Sequence, residues 1–312
     1  MPRLLIISQD AIEYLRLIEQ ADLPGLSMYA VQKATDTIPC GEEFDLLLGE
    51  PALIRHVVGC LPNLRWAQCT WAGVEPLLQP GMRRDYTLTN VRFVYGPQMA
   101  EYVYGYLLLI ARGTLSRLQA QQEGRWDTTL PGTLRRKMLG LLGVGSIGAH
   151  LAGTARHFGM HVRGYTRFSE SCPDVAAYFH GEQLLEFASG LDYLVCVLPG
   201  TGATYHLVDT RVLRALPPHA WLVNIGRGTT VDQAALVEAL QARRIGGAVL
   251  DVFEQEPLPP EHPLWHTPNT FITAHVAAKN YLPDIAGLFC ENYLRFLRGE
   301  PLRGVVDFEA GY

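Results

Sequence analysis

An α/β fold with parallel sheets follows from three features of the sequence. Short apolar runs alternate with amphipathic stretches over most of the chain, which is the pattern of a parallel sheet covered by helices. A glycine-rich turn, Gly143-Val144-Gly145-Ser146-Ile147-Gly148, joins one such run to the helix that follows it. Polar residues close four successive apolar runs downstream of that turn, and an open parallel sheet presents its ligands at those strand ends.

Taken in order, residues 3–8 read as a strand, 12–20 as a helix, 44–48 as a strand, 52–58 as a helix and 64–69 as a strand. These make a small α/β unit. Residues 98–119 favour a single helix with an apolar face at Val103, Leu107, Ile110 and Leu118, and a polar loop with Gly and Pro then runs to Lys137. This helix is the expected crossing between two domains. A second series places strands at 138–142, 162–166, 193–198, 221–225, 247–252 and 271–273, with a helix from Ser146 and further helices between most of the strands. The last helix, 282–297, stops at Arg298-Gly299, a basic residue followed by glycine.

Composition narrows the function. A chain of 312 residues with 48% hydrophobic and 18% charged residues fits a globular protein of about two domains. A net charge of -5, with no basic run beyond Arg135-Arg136-Lys137, argues against nucleic acid as a partner. The longest apolar stretch, 102–111, is too short to span a bilayer and is flanked by Glu101 and Arg112, so no membrane partner is expected. The opening Leu4-Leu5-Ile6-Ile7 is too short for a signal peptide, which makes the cytoplasm the expected compartment. Cys40, Cys60, Cys69, Cys172, Cys196 and Cys290 form no CxxC pair and no cluster with histidine, so neither a disulfide framework nor a metal site is expected.

The glycine turn has the strand-turn-helix setting that a dinucleotide fingerprint requires. Gly143 permits the tight turn, Gly145 lets the backbone approach a pyrophosphate and Gly148 allows the helix to pack closely on the strand. Ser146 and Ile147 open the helix, whose positive end suits phosphate. An NAD-binding domain would place Asp or Glu at the end of the next strand, where it accepts a hydrogen bond from the ribose 2'-hydroxyl. Here that place reads Tyr165-Thr166-Arg167. A guanidinium pairs a 2'-phosphate and a hydroxyl can add a hydrogen bond, so NADP(H) is favoured, with NAD as the alternative; a solvated Arg167 is the bland counterpart.

The later strand ends carry the candidate chemistry. Leu198 and Pro199, with Thr204 in the loop beyond them, follow one strand; Ile225, Gly226 and Arg227 follow the next; Asp251 ends a third; His275 follows a fourth. Reduction of a 2-keto acid needs a group to hold the substrate carboxylate, a proton donor and a hydride. Arg227, between Gly226 and Gly228, can approach a substrate carboxylate closely. Histidine suits the proton donor because free imidazole titrates near neutrality and a carboxylate partner favours its protonated ring. Glu256 and its rival Glu254 lie in one loop, either one within topological reach of His275. Asp251 is expected beside a nicotinamide, accepting a hydrogen bond from its carboxamide. In the first part of the chain, Ala72, Gly73 and Val74 after Trp71 offer backbone N–H groups for the substrate carboxylate.

These segments resemble the D-isomer-specific 2-hydroxyacid dehydrogenases along nearly the whole chain. The matching stretches are Trp71-Ala72-Gly73-Val74, the glycine turn, Leu198-Pro199-Gly200-Thr201, Asn224-Ile225-Gly226-Arg227-Gly228, the loop from Asp251 to Pro257 and Thr273-Ala274-His275-Val276-Ala277. The resemblance implies a catalytic set of Arg227, Glu256 and His275, and so selects Glu256 over Glu254. It also implies two Rossmann-like domains with the active site between them: a discontinuous substrate domain, 1–97 and 283–312, and a dinucleotide-binding domain, 98–282. A homodimer through the cofactor domain is implied as well. Within the family the chain is similar to the bacterial glyoxylate/hydroxypyruvate reductase A branch, through its length, Tyr165-Thr166-Arg167 and the ending Val306-Asp307-Phe308-Glu309-Ala310-Gly311-Tyr312.

Two departures stand out. Pro199-Gly200-Thr201-Gly202 lacks the second proline and the glutamate of many relatives, and Glu50 stands where that branch often has an aromatic residue. A carboxylate in the pocket would disfavour dicarboxylate substrates. Two other readings share the fold: a cofactor-sensing interaction protein of the corepressor type, and a formate or phosphite dehydrogenase. The absence of long polar tails weighs against the first, and the absence of an acidic residue at Tyr165-Thr166-Arg167 against the second.

Overall fold

The computed structural model describes residues 1–33 and 44–311, so Cys40 and Tyr312 lie outside the described residues. The chain divides into two compact units, one made of Met1–Val94 with Asn280–Tyr312 and the other of Tyr95–Lys279.

The first unit opens with β1 (Arg3–Ile7), α1 (Ala11–Glu19), β2 (Ser27–Val31), β3 (Leu46–Gly49), α2 (Pro51–Val57), β4 (Trp66–Cys69) and β5 (Thr87–Thr89). The second contains α3 (Gly96–Ala111), α4 (Thr114–Gln122), β6 (Met138–Leu142), α5 (Ser146–His157), β7 (His161–Tyr165), β8 (Ala177–Phe179), α6 (Leu184–Ala188), β9 (Tyr193–Cys196), α7 (Thr210–Ala215), β10 (Trp221–Asn224), α8 (Gln233–Gln241), β11 (Gly247–Leu250) and β12 (Thr270–Ile272). The chain then returns to the first unit with α9 (Leu282–Arg298).

Among the described residues the first unit holds a five-stranded sheet in the order β2-β1-β3-β4-β5, and the second a seven-stranded sheet in the order β12-β11-β10-β9-β6-β7-β8. Every strand pair within them is parallel. In each sheet the order reverses beside the first strand of the unit, the winding of a nucleotide-binding fold.

Strands covered on both faces must be apolar on both faces, and the second sheet shows how the alternation is used. Val195, Val223 and Val249 turn to the side packed by Val103, Leu107, Leu151 and Ala155 of α3 and α5. Their neighbours Leu194, Cys196, Leu222, Ala248 and Leu250 turn to the other side, against Phe187, Val212, Leu213 and Leu236 of α6, α7 and α8. In the first unit α9 packs against α1, and the ring of Phe289 on α9 stacks on Trp66 of β4 at 5.1 Å between centroids.

One expected helix is two. The stretch 98–119 breaks after Ala111, where Gly113 takes a left-handed φ of 62° and starts α4. A side chain there would meet the strain that glycine avoids. No described helix is long and apolar enough to cross a membrane.

Candidate active site

The strand ends of the second sheet gather the candidate residues. After β6 the three glycines act for three different reasons. Gly143 has φ +98°, closed to most side chains. A Cβ on Gly148 would lie 2.3 Å from the Gly143 carbonyl oxygen, so α5 can sit this close to the loop only with glycine there. A Cβ on Gly145 would meet nothing within 4 Å. Gly145 also has extended backbone, which any residue adopts, so the chain's own packing does not require a glycine at this place. The N-cap of α5 is Gly145, which has no side chain to cap the helix, and Ser146 and Ile147 open it. A glycine N-cap and the positive end of a twelve-residue helix fit a pyrophosphate.

After β7 the two expected phosphate ligands diverge. Arg167 is exposed, its guanidinium 5.3 Å from the centre of the Phe168 ring. Thr166 is buried, and its hydroxyl donates to the Ser169 carbonyl at 2.7 Å, so its proton is already committed. His180, just past β8, closes this corner, with Nδ1 2.9 Å from the Thr166 carbonyl oxygen and Nε2 2.8 Å from Glu170. The hydrogen bond to Glu170, and then the one to Thr166, raise the His180 imidazole above its ordinary range. Nothing in the sequence marked His180, because its strand is only three residues long.

The turn after β9 is self-braced. The Thr204 hydroxyl donates to the Pro199 carbonyl at 2.6 Å and accepts the Thr201 N–H at 2.9 Å. Leu198 reaches the glycine turn, lying 3.1 Å from where a Gly143 Cβ would stand. After β10, Asn224 is buried and holds the arginine loop, its Nδ2 donating to the Arg227 carbonyl at 3.0 Å and its Oδ1 accepting the Gly226 N–H at 3.2 Å. A Cβ on Gly226 would lie 2.7 Å from the Leu198 carbonyl oxygen, and one on Gly228 would overlap the Phe253 backbone at 1.8 Å. The glycines flanking Arg227 thus bring its loop directly onto two neighbouring strand ends. Asn224, which opens the matching stretch but has no role assigned from the sequence, fixes the loop's shape.

The two glutamates of the loop after β11 take different partners. Glu256 Oε2 lies 2.8 Å from His275 Nδ1, and its Oε1 accepts the Phe253 N–H at 2.9 Å. Glu254 instead lies 3.1 Å from His206 Nε2 and accepts the Gln233 N–H at 3.3 Å. With Nδ1 turned to Glu256, Nε2 is the imidazole nitrogen left for proton exchange with a ligand. The Asp251 carboxylate is almost wholly buried and accepts from the Thr273 hydroxyl and the N–H groups of Val276 and Ala277.

In the first unit, Trp71, Ala72 and Gly73 follow β4 at the carboxyl edge of its sheet. Asn90 donates to the Ala72 carbonyl at 2.8 Å, and the Val74 side chain belongs to the apolar core. Glu50, after β3 on the same edge, accepts the Ser8 hydroxyl at 2.8 Å and the Gln9 N–H at 3.1 Å. Among the described residues no three His, Cys, Asp or Glu side chains gather as a metal site.

Comparison with known proteins shows the family. The model of the D-isomer specific 2-hydroxyacid dehydrogenase NAD-binding domain matches residues 104–277. Glyoxylate/hydroxypyruvate reductase A of Salmonella heidelberg is 32% identical over 217 residues, 70% of each chain. The crystal structure of a D-isomer specific 2-hydroxyacid dehydrogenase family protein from Aeromonas salmonicida superposes with a TM-score of 0.88 at 40% identity, covering 98% of this chain and 99% of that one. A D-isomer specific 2-hydroxyacid dehydrogenase from Xanthobacter autotrophicus, crystallised with NADPH and MES, gives the same TM-score at 32% identity, covering 100% and 99%. A family match over more than half of the chain, and relatives that follow the fold almost from end to end, support one conclusion: the chain belongs to the D-isomer-specific 2-hydroxyacid dehydrogenases, a family of NAD(P)-dependent oxidoreductases.

Proposed function

We propose that this protein is an NADPH-preferring reductase of a small 2-keto acid such as glyoxylate or hydroxypyruvate, forming the 2-hydroxy acid, in the D configuration where the new carbinol carbon is a stereocentre. The observation that carries the reading is the His275–Glu256 pair, 2.8 Å apart, on the same strand-end edge as Arg227 and the glycine turn. The similarity to a relative crystallised with NADPH, and to glyoxylate/hydroxypyruvate reductase A, supports the cofactor and the substrate class.

Gly143, Gly145, Ser146, Ile147 and Gly148 hold the pyrophosphate, Arg167 pairs the 2'-phosphate, and Leu198, Pro199, Thr204, Ile225, Gly226 and Asp251 line the remainder of the cofactor site. Bound NADPH supplies the hydride. Arg227 holds the substrate carboxylate and polarises the adjacent carbonyl. In the first unit, the backbone N–H groups of Ala72, Gly73 and Val74 are the proposed carboxylate contacts. His275 gives the proton from Nε2 to the carbonyl oxygen, while Glu256 fixes the ring through Nδ1. The proposed domains are a substrate domain, 1–97 with 283–312, and a dinucleotide-binding domain, 98–282, and the cytoplasm is the proposed compartment.

His275→Gln tests the role directly. We expect kcat to fall by about 10²- to 10⁴-fold, with NADPH affinity held within about twofold. Turnover close to wild type would overturn the assignment. A homodimer through the second unit is part of the proposal, supported by the exposed Trp126 and Leu130 of that unit. Light scattering that finds only monomer at micromolar concentration would contradict it.

A further inference from the structure

His275 has φ +55°, a left-handed conformation that a residue with a side chain adopts only where its surroundings impose it. The hydrogen bonds around this turn converge on Asp251. Its backbone carbonyl accepts the His275 N–H at 2.8 Å, its Oδ1 accepts the Val276 N–H at 2.9 Å and the Thr273 hydroxyl at 2.5 Å, and its Oδ2 accepts the Ala277 N–H at 3.0 Å. Four donors from residues 273–277 therefore converge on one aspartate that is 1% exposed, while His275 and Val276 are open to solvent.

The bracing extends to α3. A carboxylate only accepts hydrogen bonds, so Thr273 gives it its proton, and the Tyr102 hydroxyl, 2.6 Å away, donates to Thr273 in turn. Burial pushes the Tyr102 phenol above its ordinary range, which keeps it a donor. One turn earlier on α3, the Gln98 side chain pairs with both the N–H and the carbonyl of Lys279, at 3.0 and 3.1 Å. Both ends of the stretch that carries His275 are thus tied to one helix.

We propose that Thr273 and Tyr102, acting through Asp251, are positioning residues for the proton donor: they hold the His275 backbone in its left-handed turn and so aim the imidazole. This gives Asp251 a task separate from any contact with the nicotinamide. The proposal rests on the reading of His275 as the proton donor, and its test separates the two. Thr273→Val keeps the shape and removes the hydroxyl, and Thr273→Ser restores it. In Thr273→Val we expect kcat to fall roughly 10- to 100-fold, with the KM for NADPH within about twofold, because misaimed catalytic groups cost rate rather than cofactor binding. Thr273→Ser should return to within about threefold of wild type. Amide hydrogen exchange at Val276 and Ala277 should accelerate in the valine variant and not in the serine variant. Should Thr273→Val fold poorly, Tyr102→Phe removes only the outer donor and should shift rate and exchange in the same direction by less. Unchanged exchange in the valine variant overturns the brace. Accelerated exchange with wild-type kcat overturns its catalytic role, as does a raised KM for NADPH with kcat unchanged. Failure of the His275 assignment shows separately, as turnover retained in His275→Gln.

Discussion

Both units begin with a strand, a loop and a helix, and in both the sheet order reverses beside that first strand, so each has the crevice where an open α/β sheet takes an anion. In the first unit the crevice is filled from within. Glu50, just after β3, accepts the Ser8 hydroxyl and the Gln9 N–H in the loop between β1 and α1. In the second unit the corresponding strand, β9, is followed by Val197 and Leu198, which place only backbone and apolar atoms near Gly143, and the N-cap of α5 is a glycine. The same winding therefore holds a carboxylate of the protein's own in one unit and leaves backbone for an outside phosphate in the other. Topology supplies the crevice, and the residues of the loop decide whether a ligand can use it.

The sharpest way to break this comparison is to fill the open crevice. Gly145→Val places a side chain where the protein has no atoms within 4 Å of a Cβ, on backbone that valine accepts. Thermal stability should stay near wild type while the KM for NADPH rises about 100-fold, equivalent to about 2.7 kcal/mol. A loss of stability without a loss of cofactor binding would mean that the two loops serve the same structural purpose. Next in size, Arg167→Ala should raise the KM for NADPH roughly 10- to 100-fold by removing a charge-assisted contact worth about 1.5–3 kcal/mol, and leave that for NADH within about twofold. Equal effects on both cofactors would show that Arg167 does not meet the 2'-phosphate.

The filled crevice predicts the reverse pattern. Glu50→Ala leaves the buried Ser8 hydroxyl and the Gln9 N–H without their acceptor, and should cost roughly 1–2 kcal/mol in denaturant unfolding with no change in NADPH binding. The smallest effect concerns pH. The Glu170 and Thr166 partners raise the His180 imidazole, so the stability this pair contributes is fully present below the ordinary value of 6.5 and is lost as pH rises through the raised one. The difference in melting temperature between wild type and His180→Gln should accordingly be largest at acid pH and shrink towards alkaline pH. A constant difference would mean that the imidazole charge plays no part.

The sequence made the second sheet readable because its strands are apolar on both faces and each closes on a polar residue, as with Asp251 after Gly247–Leu250. The edges of the sheets were harder. Ser27–Val31 is mostly exposed or half-buried, and Thr87–Thr89 and Ala177–Phe179 have three residues each, too few for a period of two to show. Site residues were readable as types at strand ends, but their hydrogen bonds depend on the exact turn of each loop, as with Thr166, Thr204 and Asn224, or on residues distant in the chain, as with Glu254 and His206. No residue type by itself reveals that Thr166 and Thr204 spend their hydroxyls on their own loops, that Asn224 braces Arg227, or that Glu254 turns to His206. The left-handed turn at His275 is the extreme case, since the donors that converge on Asp251 come from more than twenty residues further along the chain.

The central claim is that the edge bearing the open crevice reduces a small 2-keto acid with NADPH. Initial rates of the purified protein with NADPH and with NADH, against glyoxylate, hydroxypyruvate, pyruvate and larger 2-keto acids, test it most directly. The account predicts turnover of glyoxylate or hydroxypyruvate, with a higher kcat/KM for NADPH than for NADH. No turnover of any of these acids, or faster turnover with NADH, would contradict it.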